Sequence, residues 1–346
     1  MSNRAKSFAA LMSLLCIMLL ISACSGAANT NNAAPGNSAA PSNDAGGQQT
    51  EGQDEEVAQT DKFPRTVKAA NGEITIEKEP KKVAVVHWGY GDSLLLFDLP
   101  SVALALPFTE KQSVLATESY KPYVDKHDEL VVVGENTQVN MEALLAYAPD
   151  LIIAGNSVNQ AVGGELEKIA PTVVIDEAET DVWANWPALV AKFGEILGQE
   201  DAAQSYIAEY ENKLKTAKEK LAGLEGTVAF LQVRADAVWL QGVDYLKPYY
   251  EGMGLTPPAG DVMAEGAQLT LEGLSELDAD HLFLGYFNYS DQSVGALTDE
   301  WDDSAVWKSL KAVQSGQVYA IDGQLALSYG PIGNSYGVQA VLEALE

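Results

Sequence analysis

Cysteine and histidine are scarce in this chain. Cys16 and Cys24 are the two cysteines among 346 residues, and both lie near the N-terminus. Beyond them the chain can form no disulfide, CxxC motif or thiolate metal site. With three histidines in all, a site for a bare transition metal also has few ligands to draw on.

The motifs of common enzyme classes are missing as well. The sequence has no GxSxG elbow, no HExxH, no P-loop and no dinucleotide-binding glycine fingerprint after a strand. A hydrolase would need a nucleophile beside a base, such as Ser93 with His87. We therefore predict that the protein is not an enzyme, with a membrane-anchored hydrolase as a distant alternative.

The chain also has little positive charge. Its formal net charge is −28 at pH 7, which argues against nucleic acid or another anionic surface as a partner. Of the three arginines, Arg4 lies in the first 23 residues and Arg65 precedes the predicted strands. Arg234 is the only arginine after the start of the first predicted strand.

The first 60 residues predict export and attachment. Residues 1–23 have the basic start, the apolar stretch and the small residues of a lipoprotein signal peptide. Ile21-Ser22-Ala23-Cys24 resembles a bacterial lipobox, so we expect lipidation of Cys24. Residues 24–60 are poor in large apolar residues, which predicts a disordered tether. The predicted location is the extracytoplasmic face of the cell membrane. The lipobox and the absence of disulfides are compatible with a Gram-positive surface, with a Gram-negative location as the alternative.

One segment of the chain occurs twice. Residues 140–155 (NMEALLAYAPDLIIAG) align without a gap with residues 270–285 (TLEGLSELDADHLFLG). Each copy predicts a short helix, a tight corner and an apolar strand that ends in glycine. A helix–strand unit repeated at domain-sized spacing indicates two lobes of like topology. Clefts between such lobes are common ligand sites.

Apolar, β-rich runs alternate with helical stretches, which predicts an α/β fold with mainly parallel sheets flanked by helices. The predicted strands are Lys82–His87, Val102–Leu106, Leu130–Val133, Leu151–Ala154, Thr172–Ile175, Thr227–Val233, Ala237–Leu240, Leu282–Leu284 and Gln317–Ile321. One long amphipathic helix, Gln199–Ala222, joins the two lobes. The predicted domains are an N-terminal lobe at 61–198, a connecting helix at 199–223 and a C-terminal lobe at 224–346.

Several segments, in this order along the chain, resemble a known family. They are Glu79–Val86 with its Pro-Lys-Lys-Val lead, the first copy of the repeat, LEKIAPTVVID at 166–176, the second copy of the repeat and WKSLKAVQSGQVYAID from Trp307. Behind a lipobox, they resemble the substrate-binding lipoproteins of iron–siderophore ABC importers, of the helical-backbone class that includes cobalamin and heme binders. The resemblance implies a monomer that captures a ferric siderophore between its lobes and delivers it to a membrane permease. It implies no resident cofactor, with heme or cobalamin as the alternative ligand.

The loops at the carboxyl ends of the strands are rich in aromatic residues, which suit a bulky chelate whose metal is already coordinated. Arg234 is the predicted donor to the chelating oxygens; the alternative is a salt bridge with Asp236 or Asp244. His87 ends the first strand and is predicted to hydrogen-bond a siderophore or to ligate heme. The predicted aromatic contacts are Trp88, Tyr90, Trp183, Tyr286 and Tyr329. Citrate-type ligands would suit the arginine and hydroxamates the aromatic cleft, so the siderophore stays open.

Two glutamates are candidates for contact with the permease. In the resembled family, one surface glutamate of each lobe pairs with arginines of the permease. Glu142 and Glu272 match that pattern, since they occupy equivalent positions in the two copies of the repeat. The alternative is structural, because an acid in the first turn after an N-cap such as Asn140 or Thr270 stabilises a helix by itself.

Overall fold

Strands and helices alternate along the chain, as the sequence predicts. The computed structural model describes residues 62–183, 185–289 and 293–346, and the predicted signal peptide, Cys24 and the predicted tether lie outside these ranges. No helix within the described ranges has the length and hydrophobicity needed to cross a membrane.

The first lobe is built on a parallel sheet. Its strands are β1 (Arg65–Ala69), β2 (Gly72–Ile76), β3 (Lys82–Val85), β4 (Ser101–Ala105), β5 (Glu129–Glu135), β6 (Gln138–Val139), β7 (Leu151–Gly155) and β8 (Thr172–Ile175). β1 and β2 form a separate antiparallel hairpin, and the others make one sheet in the order β6-β5-β4-β3-β7-β8. Neighbouring strands of that sheet are parallel except β5 and β6. Every residue of β4 and β7 is buried, as expected for strands covered on both faces.

Helices pack on both faces of this sheet. They are α1 (Gly91–Leu94), α2 (Lys121–Val124), α3 (Met141–Tyr147), α4 (Gly163–Leu166) and α5 (Trp186–Leu197). Val83 and Val85 of β3 belong to a core shared with α5, whereas Ala84 and Val86 belong to a second core shared with α3 and α4. The alternation is the two-residue period of a strand that is buried on both sides.

One long helix, α6 (Glu200–Lys220), joins the lobes, and its 21 residues make it about 31 Å long. Toward the first lobe, the ring of Tyr210 packs against Trp186 at a centroid distance of 4.8 Å. Toward the second lobe, the hydroxyl of Tyr206 donates to the backbone carbonyl of Pro331 at 2.9 Å. The connecting helix is therefore anchored to both lobes. Its bounds lie within two residues of the predicted helix at each end.

The second lobe has a sheet of mixed direction. Its strands are β9 (Val228–Val233), β10 (Val238–Gln241), β11 (Gly266–Leu269), β12 (His281–Tyr286) and β13 (Val318–Asp322). They pair in the order β11-β10-β9-β12-β13, and β10 is antiparallel to both of its neighbours while the other pairs are parallel. This sheet is less parallel than predicted because the short turn between β9 and β10 returns the chain as a hairpin, which only antiparallel strands allow.

Helices surround the second sheet, and the last of them reaches the first lobe. They are α7 (Leu271–Glu276), α8 (Ala305–Ser309), α9 (Lys311–Gln314), α10 (Gly323–Ala326) and α11 (Pro331–Leu345). α11 contacts α1 and α5 of the first lobe as well as α6. The α/β fold class, with two lobes and one long helix between them, is thus confirmed.

The two copies of the repeat fold alike. The first copy supplies α3 and β7, and the second supplies α7 and β12. Asn140 and Thr270 cap the two helices, each accepting a hydrogen bond from the backbone N–H three residues later. Ala148 and Asp278, at equivalent positions in the two corners, both adopt a positive φ. The similarity of the sequences therefore extends to backbone conformation.

The aspartate shared by the two copies fixes the start of one parallel strand in each lobe, β3 in the first and β9 in the second. Oδ2 of Asp150 accepts hydrogen bonds from the backbone N–H groups of Lys81 and Lys82, at 2.9 and 3.1 Å, where β3 begins. Oδ2 of Asp280 accepts one from the backbone N–H of Thr227 at 2.8 Å, directly before β9. A carboxylate thus accepts hydrogen bonds from backbone N–H groups at the start of the strand that have no partner in the sheet.

Each strand predicted from the sequence has a counterpart within two residues at either end. β1, β2, β6 and β11 have no predicted counterpart, because their short and largely exposed sequences lack a continuous apolar run. The boundaries of the predicted domains stay predictions.

Replacing Asp150 by Ala should lower the free energy of unfolding by about 1–3 kcal/mol, since two backbone donors lose a charged acceptor. Urea unfolding of the chain without its first 60 residues measures this. Asp128→Ala, at an exposed aspartate of the same lobe, should change the free energy by no more than about 0.5 kcal/mol. Equal effects of the two substitutions would contradict the role assigned to Asp150.

Candidate ligand-binding cleft

A cleft of about 880 Å³, counted with its open mouth, lies between the lobes. Residues that follow β3 and β4 contribute to the first-lobe wall, and residues that follow β9, β12 and β13 contribute to the second-lobe wall. These are carboxyl ends of parallel strands, where ligand sites of α/β proteins form. The lining residues are Trp88, Gly91, Asp92, Leu95, Leu104, Ala105, Leu106, Pro107, Phe108, Gln112, Ser113, Val114, Leu115, Tyr120 and Trp183 in the first lobe, and Gln232, Arg234, Phe287, Gln324, Leu327, Ser328 and Tyr329 in the second.

An aromatic clasp, formed by Trp88, Trp183 and Tyr329, crosses from one lobe to the other in the wall of the cleft. The ring centroid of Tyr329, in the second lobe, lies 5.1 Å from that of Trp88 and 5.0 Å from that of Trp183. The rings meet edge to face, at interplanar angles of 80° and 74°, which is a favourable arrangement of their quadrupoles. The structure therefore brings three of the predicted contact residues together at the cleft.

Arg234 lines the cleft from the second lobe and follows β9 directly. Its Cζ lies 4.6 Å from the centroid of the Phe287 ring, a cation–π contact that leaves the N–H donors of the guanidinium available. Within the described ranges it makes no ion pair, with Asp236, Asp244 or any other acid. The salt bridge considered as the alternative role is therefore not found there, and the assignment of Arg234 as a ligand donor stays a prediction.

Asp92, in α1, lines the cleft and reaches the second lobe. Its two carboxylate oxygens accept hydrogen bonds from the hydroxyl of Tyr120 at 2.8 and 2.9 Å, and Oδ2 also accepts one from the backbone N–H of Gly333 at 3.4 Å. Gly333 lies in the first turn of α11, so the carboxylate faces the positive end of a helix dipole. Burial raises the pKa of Asp92 to about 6, although these donors favour the ionised form.

His87 and Tyr90 lie behind the cleft wall and do not line it. The two rings are buried and stack at a centroid distance of 3.9 Å. Nδ1 of His87 accepts a hydrogen bond from the backbone N–H of Gly89 at 2.9 Å, and Nε2 lies 3.8 Å from Oε2 of Glu177. Burial lowers the pKa of His87 to about 4, against the opposing effect of Glu177. Both ring nitrogens of His87 thus face protein groups. The chain turns inward after β3, and the rings of His87 and Tyr90 pack into the first lobe.

Tyr286 is also outside the cleft lining. It ends β12, and its half-buried hydroxyl accepts a hydrogen bond from Thr298 at 3.2 Å. The next residue, Phe287, lines the cleft in its place. Successive side chains of an extended chain point to opposite sides. Phe287 therefore points toward the cleft where Tyr286, one residue earlier, points away from it.

The geometry of Ser93 does not support the hydrolase alternative. Ser93 is fully buried, and its hydroxyl forms no hydrogen bond with any described residue. The ring nitrogens of His87, its only candidate base, face Gly89 and Glu177. A nucleophile and a base within hydrogen-bond reach are the minimum that such an enzyme needs.

Glu142 and Glu272 lie on the surface and are not among the described residues that line the cleft. Each is exposed in the first turn of its helix, α3 or α7. Neither carboxylate has an ion-pair partner among the described residues. The two positions therefore present one available carboxylate per lobe, and their role in docking stays a prediction.

Several polar residues of the cleft have no counterpart in the sequence analysis. Tyr120, Gln112, Gln232 and Gln324 come from separate segments, and no local motif marks them. Asp92 lies a few residues after the end of β3. Its closeness to a strand end is a feature of the sequence that could have marked it as a cleft residue. Its partners lie in distant parts of the sequence, so the sequence alone cannot assign them.

Two α/β lobes joined by a long helix, with an aromatic cleft at their strand ends, define a two-lobed ligand-binding protein. Residues 83–325 match the family described as Periplasmic binding protein. The chain belongs to that family.

Two relatives from Bacillus subtilis (strain 168) match over nearly their whole length. The Fe(3+)-citrate-binding protein YfmC is 27% identical over 324 residues, which cover 92% of this chain and 90% of the relative. The Iron(3+)-hydroxamate-binding protein YxeB is 27% identical over 348 residues, which cover 96% of this chain and 94% of the relative.

Solved structures share the fold. A FhuD fold-family protein from Bacillus subtilis, a periplasmic binding protein component of a Fep/Fec-like ferrichrome ABC transporter, aligns with a TM-score of 0.63 and 25% identity, over 81% of this chain and 99% of that one. The petrobactin-binding protein YclQ from Bacillus subtilis aligns with a TM-score of 0.63 and 22% identity, over 82% of this chain and 98% of that one.

The raised pKa of Asp92 predicts a stability that falls as the pH rises from about 4 to 7. In this window the folded chain keeps a proton that the unfolded chain has released near the ordinary value of 3.8, so deprotonation favours unfolding. Relative to Asp92→Asn, the wild-type chain should lose up to about 3 kcal/mol of unfolding free energy across the window. Urea unfolding at several pH values tests this. Asp236→Asn, at an exposed position, should leave the pH profile unchanged, and parallel curves for wild type and Asp92→Asn would refute the shift.

Proposed function

We propose that the chain is the extracytoplasmic substrate-binding component of an ABC importer, and that it captures a ferric siderophore in the cleft between its lobes. The observation that carries this proposal is an open cleft that combines aromatic rings from both lobes with an arginine that has no acidic partner among the described residues. The printed names of the relatives, which include citrate-binding and hydroxamate-binding proteins for Fe(3+), support the ligand class.

Binding in this proposal needs recognition without catalysis. The iron is cargo, already coordinated by the oxygens of the siderophore, so the protein supplies no metal ligand. Trp88, Trp183 and Phe108 offer flat apolar surfaces to the organic part of the chelate. The guanidinium of Arg234 donates hydrogen bonds to those chelating oxygens that face the second lobe.

Attachment and delivery follow from the remaining features. A signal peptide directs export, a lipid on Cys24 holds the monomer at the membrane, and residues 24–60 form a tether that lets the lobes reach the permease. The absence of disulfides favours a Gram-positive cell surface. Glu142 and Glu272, one exposed carboxylate on each lobe, orient the loaded protein on the permease.

Arg234→Ala should weaken binding of the preferred ferric chelate about tenfold or more, since charge-assisted hydrogen bonds are lost. Tryptophan fluorescence suits the measurement because Trp88 and Trp183 line the cleft. The chain without its first 60 residues is titrated with a ferric hydroxamate, ferric citrate, a ferric catecholate, hemin and cobalamin, and with the iron-free ligands.

The control for this substitution is Lys247→Ala, which removes an exposed cation of the same lobe and should leave the affinity unchanged. Quenching by hemin or cobalamin alone would replace the proposed ligand by one of the alternatives. Silence across the panel would overturn the proposed function.

Reversing the charge at both Glu142 and Glu272 should separate binding from delivery. The double substitution to Lys should keep the dissociation constant within about twofold, because neither residue lines the cleft, and should reduce cellular uptake of the radiolabelled chelate about tenfold or more. Glu118→Lys with Glu276→Lys, at exposed glutamates outside the equivalent positions, serves as the matched control. Uptake that survives the first pair, or fails equally with the second, would contradict specific docking.

A further inference from the structure

The cleft carries almost no net charge. Its described lining contains one guanidinium, Arg234, and one carboxylate, Asp92, whose formal charges cancel. The other polar side chains of the lining are amides or hydroxyls, and no lysine is among the described lining residues. A ligand that enters this cleft therefore meets a single cation, and a carboxylate stands in the same lining.

Two lysines are adjacent in sequence to described lining residues, and an acid accompanies each of them. Lys121 follows Tyr120, and its Nζ lies 3.8 Å from Oε1 of Glu118. Lys111 is adjacent to the lining residue Gln112, but it does not line the cleft, and Glu110 precedes it on the same turn. The chain as a whole has a formal net charge of −28 at pH 7. The long-range field therefore opposes the approach of an anionic ligand, in contrast to sites that attract anions by focused positive potential.

The cleft lining also contains neutral hydrogen-bonding groups. Nε2 of Gln324, in the second lobe, donates to the backbone carbonyl of Gln112 in the first lobe at 3.5 Å. Gln232 lines the cleft beside Arg234, and its side-chain amide makes no hydrogen bond with another described residue. Amide groups can donate to the carbonyl-type oxygens of a neutral chelate, but they do not compensate a charge.

Ferric chelates differ in charge according to their chelating groups. Three hydroxamates each bring one negative charge and neutralise Fe(III). Three catecholates bring two each and leave a trianion, and citrate chelates also keep negative charge on their carboxylates. Removing several unpaired charges from water is unfavourable, whereas a neutral chelate needs only apolar walls and a few donors.

We infer that this cleft selects ferric chelates of zero or low net charge, and that the trihydroxamate class is the one it fits. This inference rests on the proposed function, since it narrows the ligand of the same site. In such a complex the aromatic clasp covers the organic backbone, and Arg234 and Gln232 donate to the chelating oxygens. A polyanionic chelate would find one cation and would lie near Asp92.

The first test is a direct comparison of three iron-loaded ligands by tryptophan quenching, corrected for chelate absorbance. A neutral ferric trihydroxamate should bind about tenfold or more tightly than a ferric tricatecholate or ferric citrate. Tighter binding of the tricatecholate or of citrate would overturn this inference and leave the proposed function standing. Binding of none of the three would instead overturn the proposed function.

The second test adds a cation to the wall of the cleft. Gln112→Lys, at an exposed lining position, should strengthen binding of the tricatecholate several-fold, by about three- to tenfold, and change that of the trihydroxamate by no more than about twofold. Gln314→Lys adds the same charge at an exposed position outside the lining and should alter neither affinity. An equal gain from both substitutions, or no gain from Gln112→Lys, would show that the charge of the cleft does not set the selectivity.

Discussion

The geometry of the cleft depends on the contact between the carboxylate of Asp92 and the start of α11. Asp92 belongs to the first lobe, whereas Gly333, which donates to it, belongs to the last helix of the chain. Gly330 permits this approach: its φ is +84°, and a Cβ there would lie only 2.7 Å from the Cβ of Asp92. The same approach fixes Tyr329, one residue earlier, between Trp88 and Trp183. The contact between an acid and a helix N-terminus thus helps to position the rings of the aromatic clasp.

The connecting helix, like the contact between Asp92 and α11, restricts movement of the two lobes relative to each other. α6 packs on the first lobe through Tyr210 and bonds to the second lobe through Tyr206 and Lys213, whose Nζ donates to Ser335 Oγ. A large rotation of the lobes would break contacts at one end of this helix, and it would also open the aromatic clasp. Closure around a ligand is therefore expected to be small, with side chains of the cleft moving more than the lobes.

The sequence predicts the fold well because its signals are local. Apolar runs, capping residues and the corner of the repeat each act over a few positions, and Asp150 and Asp280 occupy equivalent places for the same structural reason. The wall of the cleft is harder to predict. Trp88 lines it whereas its neighbour His87 does not, because the direction of a side chain depends on where the strand ends and on what packs behind it.

Arg234 is held by the ring of Phe287 and not by a carboxylate of the described residues. In a chain with 49 aspartates and glutamates, an arginine held by a carboxylate would have its planar fork occupied, since bidentate pairing uses the donors that a ligand needs. Cζ of Arg234 instead lies over the Phe287 ring, 4.6 Å from its centroid, and a ring attracts the cation without occupying its donors as a carboxylate would. The aromatic partner therefore holds the guanidinium without an acid that competes for its donors. In the proposed function, this contact has the advantage that no carboxylate has to be displaced from Arg234 when the ligand enters.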